Sequence, residues 1–167
     1  MRAAASWHRS KLAAGVGGLL LMLGGCGFHL QGHVELPRSL ANARLDASDE
    51  QSDFYVSLHR SLATAGARFD GPVADAAIVH ILEDSSSDRV LTVSARNTPT
   101  AFLLSYRVKV AVEYQGRTLL PAEEHTVSRE YSFDETELLA KQRESDILRQ
   151  ALADDLAALI MQRMAAL

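Results

Sequence analysis

Cysteine is almost missing from this chain, which has a single one, Cys26. That excludes an internal disulfide framework and a cysteine metal site, and, if Cys26 is otherwise engaged, a thiol nucleophile. Enzyme signatures are missing as well. There is no Gly-x-Ser-x-Gly, no His-Glu-x-x-His and no phosphate loop, and the Gly-x-Gly at Gly15 and Gly17 lies inside an N-terminal apolar run. Acidic pairs such as Glu123-Glu124 and Asp154-Asp155 read as solvated charge in a turn or on a helix surface, and His59 and His80 have no evident base or nucleophile beside them. No catalytic residue and no cofactor is therefore assigned, and the expected role is binding or assembly. A basic excess is also lacking: residues 26–167 carry 14 basic against 21 acidic side chains, a formal charge of −7. A nucleic-acid partner needs a basic footprint, so it is set aside. The apolar run at residues 12–23 falls well short of the roughly 20 residues a spanning helix needs.

What the N-terminus does contain is ordered. Arg2, Arg9 and Lys11 come without an acid, the apolar run follows, and Gly24 and Gly25 precede Cys26. Basic, apolar and small-residue regions in that order read as a secretory signal. Leu23-Gly24-Gly25-Cys26 resembles the lipobox of bacterial lipoproteins, where the signal is cut before a cysteine that is then acylated, palmitate being among the chains. The alternative is an ordinary signal with an incidental cysteine. Each buried methylene contributes about 0.8 kcal/mol, and two or more chains anchor stably. Gly27, in place of Asp, resembles the sorting pattern for delivery to the outer membrane. The expected organisation is a signal peptide at 1–25, a lipidated cysteine and extended tether at 26–42, and one domain at 43–167. His29 and His33 in the tether have no other ligand type clustered with them, so no metal is implied.

Within the domain, residues 43–47 read as a short strand. Capping residues at 48–53 precede Phe54, Leu58, Leu62 and Ala65, whose spacing predicts a helix over 53–65 stopped by Gly66. Residues 76–96 read as one strand with a bulge at Ser85-Ser86-Ser87, two strands being the alternative, and 97–100 as a turn. Phe102, Leu104, Tyr106, Val108, Val110, Val112 and Tyr114 alternate against polar or smaller residues, the pattern of a half-buried strand. After a turn at 115–117, a further strand ends near Phe133, with Val127 and Tyr131 on its apolar face. From Asp134, with Glu137 three residues on as in a capping box, the period is helical again. Leu138, Leu148, Leu152, Leu156, Leu159, Ile160 and Met164 give the apolar face, and no Pro or Gly interrupts the run. The fold class is therefore α+β: a two-layer sandwich with an about four-stranded, mostly antiparallel sheet and both helices on one face.

Charge is unevenly spread. Residues 89–117 hold Arg89, Arg96, Arg107, Lys109 and Arg117 against Glu113 alone, a local +4 in an acidic chain. An anion would be drawn there; a solvated sheet face is the alternative.

Gly27-Phe28-His29-Leu30 after the lipobox, Ala95-Arg96-Asn97 before the second hairpin, and Arg129-Glu130-Tyr131 leading to Leu139-Ala140-Lys141, in this element order, resemble the LptE (RlpB) family of LPS-assembly lipoproteins. The resemblance covers the mature chain. It implies a lipoprotein held in the outer membrane by its anchor, on the periplasmic side. There it would plug the lumen of an LptD-like outer-membrane β-barrel, support that barrel's assembly and bind lipopolysaccharide on its way to the surface. It also implies lipopolysaccharide contacts at Arg96 and Lys141, to which the local charge adds Arg107 and Lys109. The competing reading is a free-standing periplasmic lipoprotein that binds another envelope ligand or serves as a scaffold.

Overall fold

The computed structural model describes residues 35–132 and 138–167, the side chains of 138–141 excepted. The signal peptide, Cys26, His29, His33, Phe133 and the Asp134–Glu137 cap lie outside the described residues.

The chain runs β1 (Ala43–Ala47), α1 (Asp53–Thr64), β2 (Ala77–Val93), β3 (Pro99–Tyr114), β4 (Arg117–Ser132) and α2 (Leu138–Ala165). Spatial order follows sequence order, β1-β2-β3-β4. The strands β2, β3 and β4 form an antiparallel meander. β1 pairs with β2 in parallel, Ala43 opposite Ala77 and Ala47 opposite Ile81, so the sheet is mixed. The mostly antiparallel expectation holds for the meander only. A helix between two strands returns the chain to the end where it started, and a parallel pair results.

α1 begins where Ser52 accepts a hydrogen bond from the Tyr55 amide at 3.1 Å, and it buries Phe54, Leu58 and Leu62 one turn apart. Gly66, at φ +92°, then takes the left-handed conformation that closes the helix. α2 buries Leu152, Ala153, Leu156, Ala157, Ile160, Met161 and Met164. These side chains share one core with Val79, Leu104, Val108, Val110 and Val112 of the sheet. All six expected inward residues of β3 from Phe102 to Val112 are buried, and Tyr114 is partly so. The core also reaches upstream of residue 43: Arg38–Leu40 forms a 3-10 turn with Leu40 wholly buried, and Leu36 packs against the core. Residues 36–40 are thus packed rather than an extended tether.

Residues 77–93 form one strand, as read, but the irregularities fall elsewhere. Ser85, Ser86 and Ser87 pair regularly with Arg107, Tyr106 and Ser105. The register shifts lie between Ile81 and Glu83, between Val90 and Thr92 and between Thr92 and Val93. Serine fits a strand face without distortion; the residues skipped in the register are Leu82 and Leu91, and the side chains of both are left exposed. The insertion of Leu82 turns the even-numbered residues from Asp84 to Val90 toward the helices.

Candidate ligand and partner surface

The sheet has one face under the helices and one face open. The open face carries Asp46, His80, Glu83, Arg107, Lys109, Glu113 and Glu124. His80 lies between two carboxylates, with Nδ1 2.8 Å from Asp46 on β1 and Nε2 3.9 Å from Glu113 on β3. Arg107 lies between two more: Nη1 is 3.9 Å from Glu83 on β2 and Nε is 3.4 Å from Glu124 on β4. Lys109 stands in register between Glu83 and Glu124. Ser105 and Ser128 hydrogen-bond at 2.8 Å. The +4 read along the sequence is therefore met, at mid-sheet, by acids from the neighbouring strands. The face is polar and charge-paired, not a basic patch.

Arg96 is elsewhere, in the exposed turn that joins β2 to β3. Ser94 organises that turn. Its amide donates to the Thr98 carbonyl at 2.7 Å, its carbonyl accepts from the Asn97 amide at 2.9 Å, and its hydroxyl oxygen accepts from the Arg96 and Thr98 amides at 3.3 Å each. Asn97 takes φ 61°, a left-handed conformation that asparagine tolerates. β4 ends at Ser132, and Ala101↔Ser132 is the last pair of its ladder with β3. The start of α2, with Lys141 in its first turn, therefore lies at the same end of the sheet as the Arg96 turn; the Lys141 side chain is outside the described residues. Residues 101 to 109 at roughly 3.3 Å each place Lys109 about 26 Å from that end. The four basic candidates thus divide into Arg96 with Lys141 at one pole and Arg107 with Lys109 in mid-face.

One cluster was not legible from spacing. The Asp84 carboxylate, turned toward the helices by the Leu82 bulge, accepts from the Tyr106 hydroxyl at 2.8 Å and from Ser52, the N-cap of α1. The Phe54 amide donates to the Tyr106 hydroxyl at 3.3 Å. Burial first, and the Asp84 carboxylate second, push the Tyr106 phenol far above its ordinary value. Burial likewise raises Tyr131, beside Asp88, and Tyr55. At the β4 edge Arg163 binds Glu123, holding that carboxyl below its usual range, and Arg129 reaches Asp155 at 3.3 Å. Among the described residues no His, Asp and Glu group has the arrangement of a metal site, and no helix is long and apolar enough to cross a membrane.

The family model for LptE, described as lipopolysaccharide-assembly, matches residues 40–164. The LPS-assembly lipoprotein LptE of Pectobacterium atrosepticum is 30% identical over 153 residues, covering 87% of this chain and 79% of that protein. Its counterpart in Yersinia enterocolitica is 22% identical over 147 residues, covering 87% and 70%. Among solved structures, lipoprotein B of Nitrosomonas europaea superposes with a TM-score of 0.67 at 25% identity, over 84% of this chain and 91% of that one. The rare lipoprotein B of Shewanella oneidensis, at 23% identity, shares the fold with a TM-score of 0.66 over 75% and 94%.

Proposed function

The chain belongs to the LptE family of lipopolysaccharide-assembly lipoproteins, and from that premise we propose that it is the plug subunit of a lipopolysaccharide translocon. As a member of that family it is a non-enzymatic envelope lipoprotein. In our reading Cys26 carries the acyl chains, residues 1–25 are removed, and the domain sits on the periplasmic side of the outer membrane within the lumen of an LptD-like barrel. The observation that carries this reading is the charge-paired outer sheet face. The interior of a large barrel is polar and wet, and a polar face on which Arg107 already has a carboxylate on either side can sit against it with that cation still paired.

Lipopolysaccharide would meet the Arg96 and Lys141 pole. Arg96 stands in the exposed turn between β2 and β3, and a guanidinium there is of the type that binds phosphate groups. The test of the plug reading is a pull-down from detergent-solubilised outer membranes with an affinity tag after Leu167. A large barrel recovered in fixed proportion is the expected result. Recovery of the lipidated protein alone would overturn the plug reading in favour of a free-standing lipoprotein. For the pole, Arg96→Asp with Lys141→Asp is expected to weaken binding of purified lipopolysaccharide about tenfold or more with an unchanged far-UV spectrum. Wild-type affinity would remove both residues from the ligand site.

A further inference from the structure

The turn that presents Arg96 is built around one residue. The ladder of β2 with β3 ends at the Val93↔Pro99 pair, and residues 94–98 close it. The Ser94 amide donates to the Thr98 carbonyl at 2.7 Å, which leaves a three-residue loop, Ala95-Arg96-Asn97. Loops of that length are commonly a tight turn followed by a residue in left-handed conformation, and Asn97 at φ 61° fills that place. Arg96 is the third residue of the turn, and Ser94 holds the peptide group on each side of it. On one side the Arg96 amide donates to the Ser94 hydroxyl oxygen at 3.3 Å. On the other the Asn97 amide donates to the Ser94 carbonyl at 2.9 Å. The hydroxyl oxygen also accepts from the Thr98 amide at 3.3 Å. Each peptide group is planar, so holding both fixes the Cα–Cβ direction of the residue between them. Residues 95–97 are exposed, so main-chain hydrogen bonds rather than burial shape the loop.

We propose that Ser94 is a positioning residue for the lipopolysaccharide site: its hydroxyl holds the Arg96 main chain so that the guanidinium meets a phosphate group from one direction. The inference rests on the reading of Arg96 as a ligand contact and adds to it an uncharged residue that acts through Arg96. A guanidinium binds phosphate through paired donors in a fixed fork, so the strength of the contact depends on the direction of approach. A mobile tip has to be ordered when the ligand arrives, whereas an ordered one has met that cost during folding. Serine suits the position because its hydroxyl is short enough to bond the amide two residues on. Alanine there keeps the carbonyl bond to Asn97 and loses the hydroxyl bonds to Arg96 and Thr98. The Arg96 amide it releases is exposed, and water can take the place of the lost bond. The loss therefore falls on the direction of Arg96 and not on the fold.

A double-mutant cycle on the full-length protein in detergent, with purified lipopolysaccharide as the probe, tests this. Ser94→Ala should melt as wild type and bind about three- to tenfold more weakly, the scale of ordering one long side chain. Ser94→Thr, which keeps the hydroxyl, should bind as wild type. In an Arg96→Ala background, Ser94→Ala should have no further effect, because the group it positions is gone. An equal loss in both backgrounds overturns the proposal, since Ser94 would then shape the pole without acting through Arg96. Wild-type affinity in Ser94→Ala, beside weakened binding in Arg96→Ala, also overturns it and leaves the reading of Arg96 as a contact standing. If Arg96→Ala itself binds as wild type, that reading fails and this proposal falls with it.

Discussion

At the scale of single residues, the group under most constraint is the Tyr106 hydroxyl. It donates to Asp84 and accepts from the Phe54 amide, so it joins β3, β2 and the start of α1. Tyr106→Phe leaves the Phe54 amide and one Asp84 oxygen without a partner, at a cost of about 1–3 kcal/mol at neutral pH, measurable as a lowered denaturant midpoint. The raised phenol pKa also fixes a pH dependence. The protonated form is favoured by folding, so its contribution is complete below about pH 10, where unfolded tyrosine titrates, and is lost as pH rises above that value. Stability should therefore fall above about pH 10, and more gently in Tyr106→Phe, with Tyr131 and Tyr55 keeping some slope. An unchanged alkaline slope in the variant would show that Tyr106 does not carry it. None of this was legible in the sequence, where Tyr106 is one more inward residue of an alternating strand. Its partner Asp84 belongs to a polar run whose facing depends on the position of one bulge.

At the scale of elements, legibility followed the strength of the local pattern. β3 was readable because alternation over its length leaves one register in which every large residue is buried. α1 was readable from both ends, through its capping residues and Gly66. Gly66→Ala should lower stability by about 1–2 kcal/mol, because a Cβ at φ +92° is strained even where space is open. The loss would appear as a shifted denaturant midpoint with an unchanged m-value; a wild-type midpoint would mean the helix end relaxes freely. β2 is readable as one strand, but the polarity of Ser85-Ser86-Ser87 does not mark its irregularity, since all three pair in regular register. The skipped residues, Leu82 and Leu91, are apolar and exposed, a combination that composition cannot signal. The parallel seating of β1 was hidden for a related reason. Five residues carry no directional information, and the direction was fixed instead by the helix that follows them.

At the scale of the whole molecule, the local charge of the sequence and the charge of the surface are different quantities. Five basic residues between Arg89 and Arg117 made one patch along the chain, yet folding sends Arg107 and Lys109 to a face shared with Glu83, Glu113 and Glu124 and leaves Arg96 at a pole. Strand pairing brings residues of distant sequence side by side, so a charge count over a window cannot anticipate it. The same separation of scales applies to the anchor. The core runs from Leu36 and Leu40 to Met164 and is made from both helices and all four strands. We therefore expect Cys26→Ala to act on location and not on folding. Exported behind a signal that is cut without a cysteine at its junction, the variant should melt within about 1 °C of wild type in detergent-free buffer and should appear in the soluble periplasmic fraction instead of the membrane. A variant that stays in the membrane would assign the anchoring to something other than acyl chains on Cys26. One that loses its cooperative melt would mean that the N-terminal segment contributes to the packed domain.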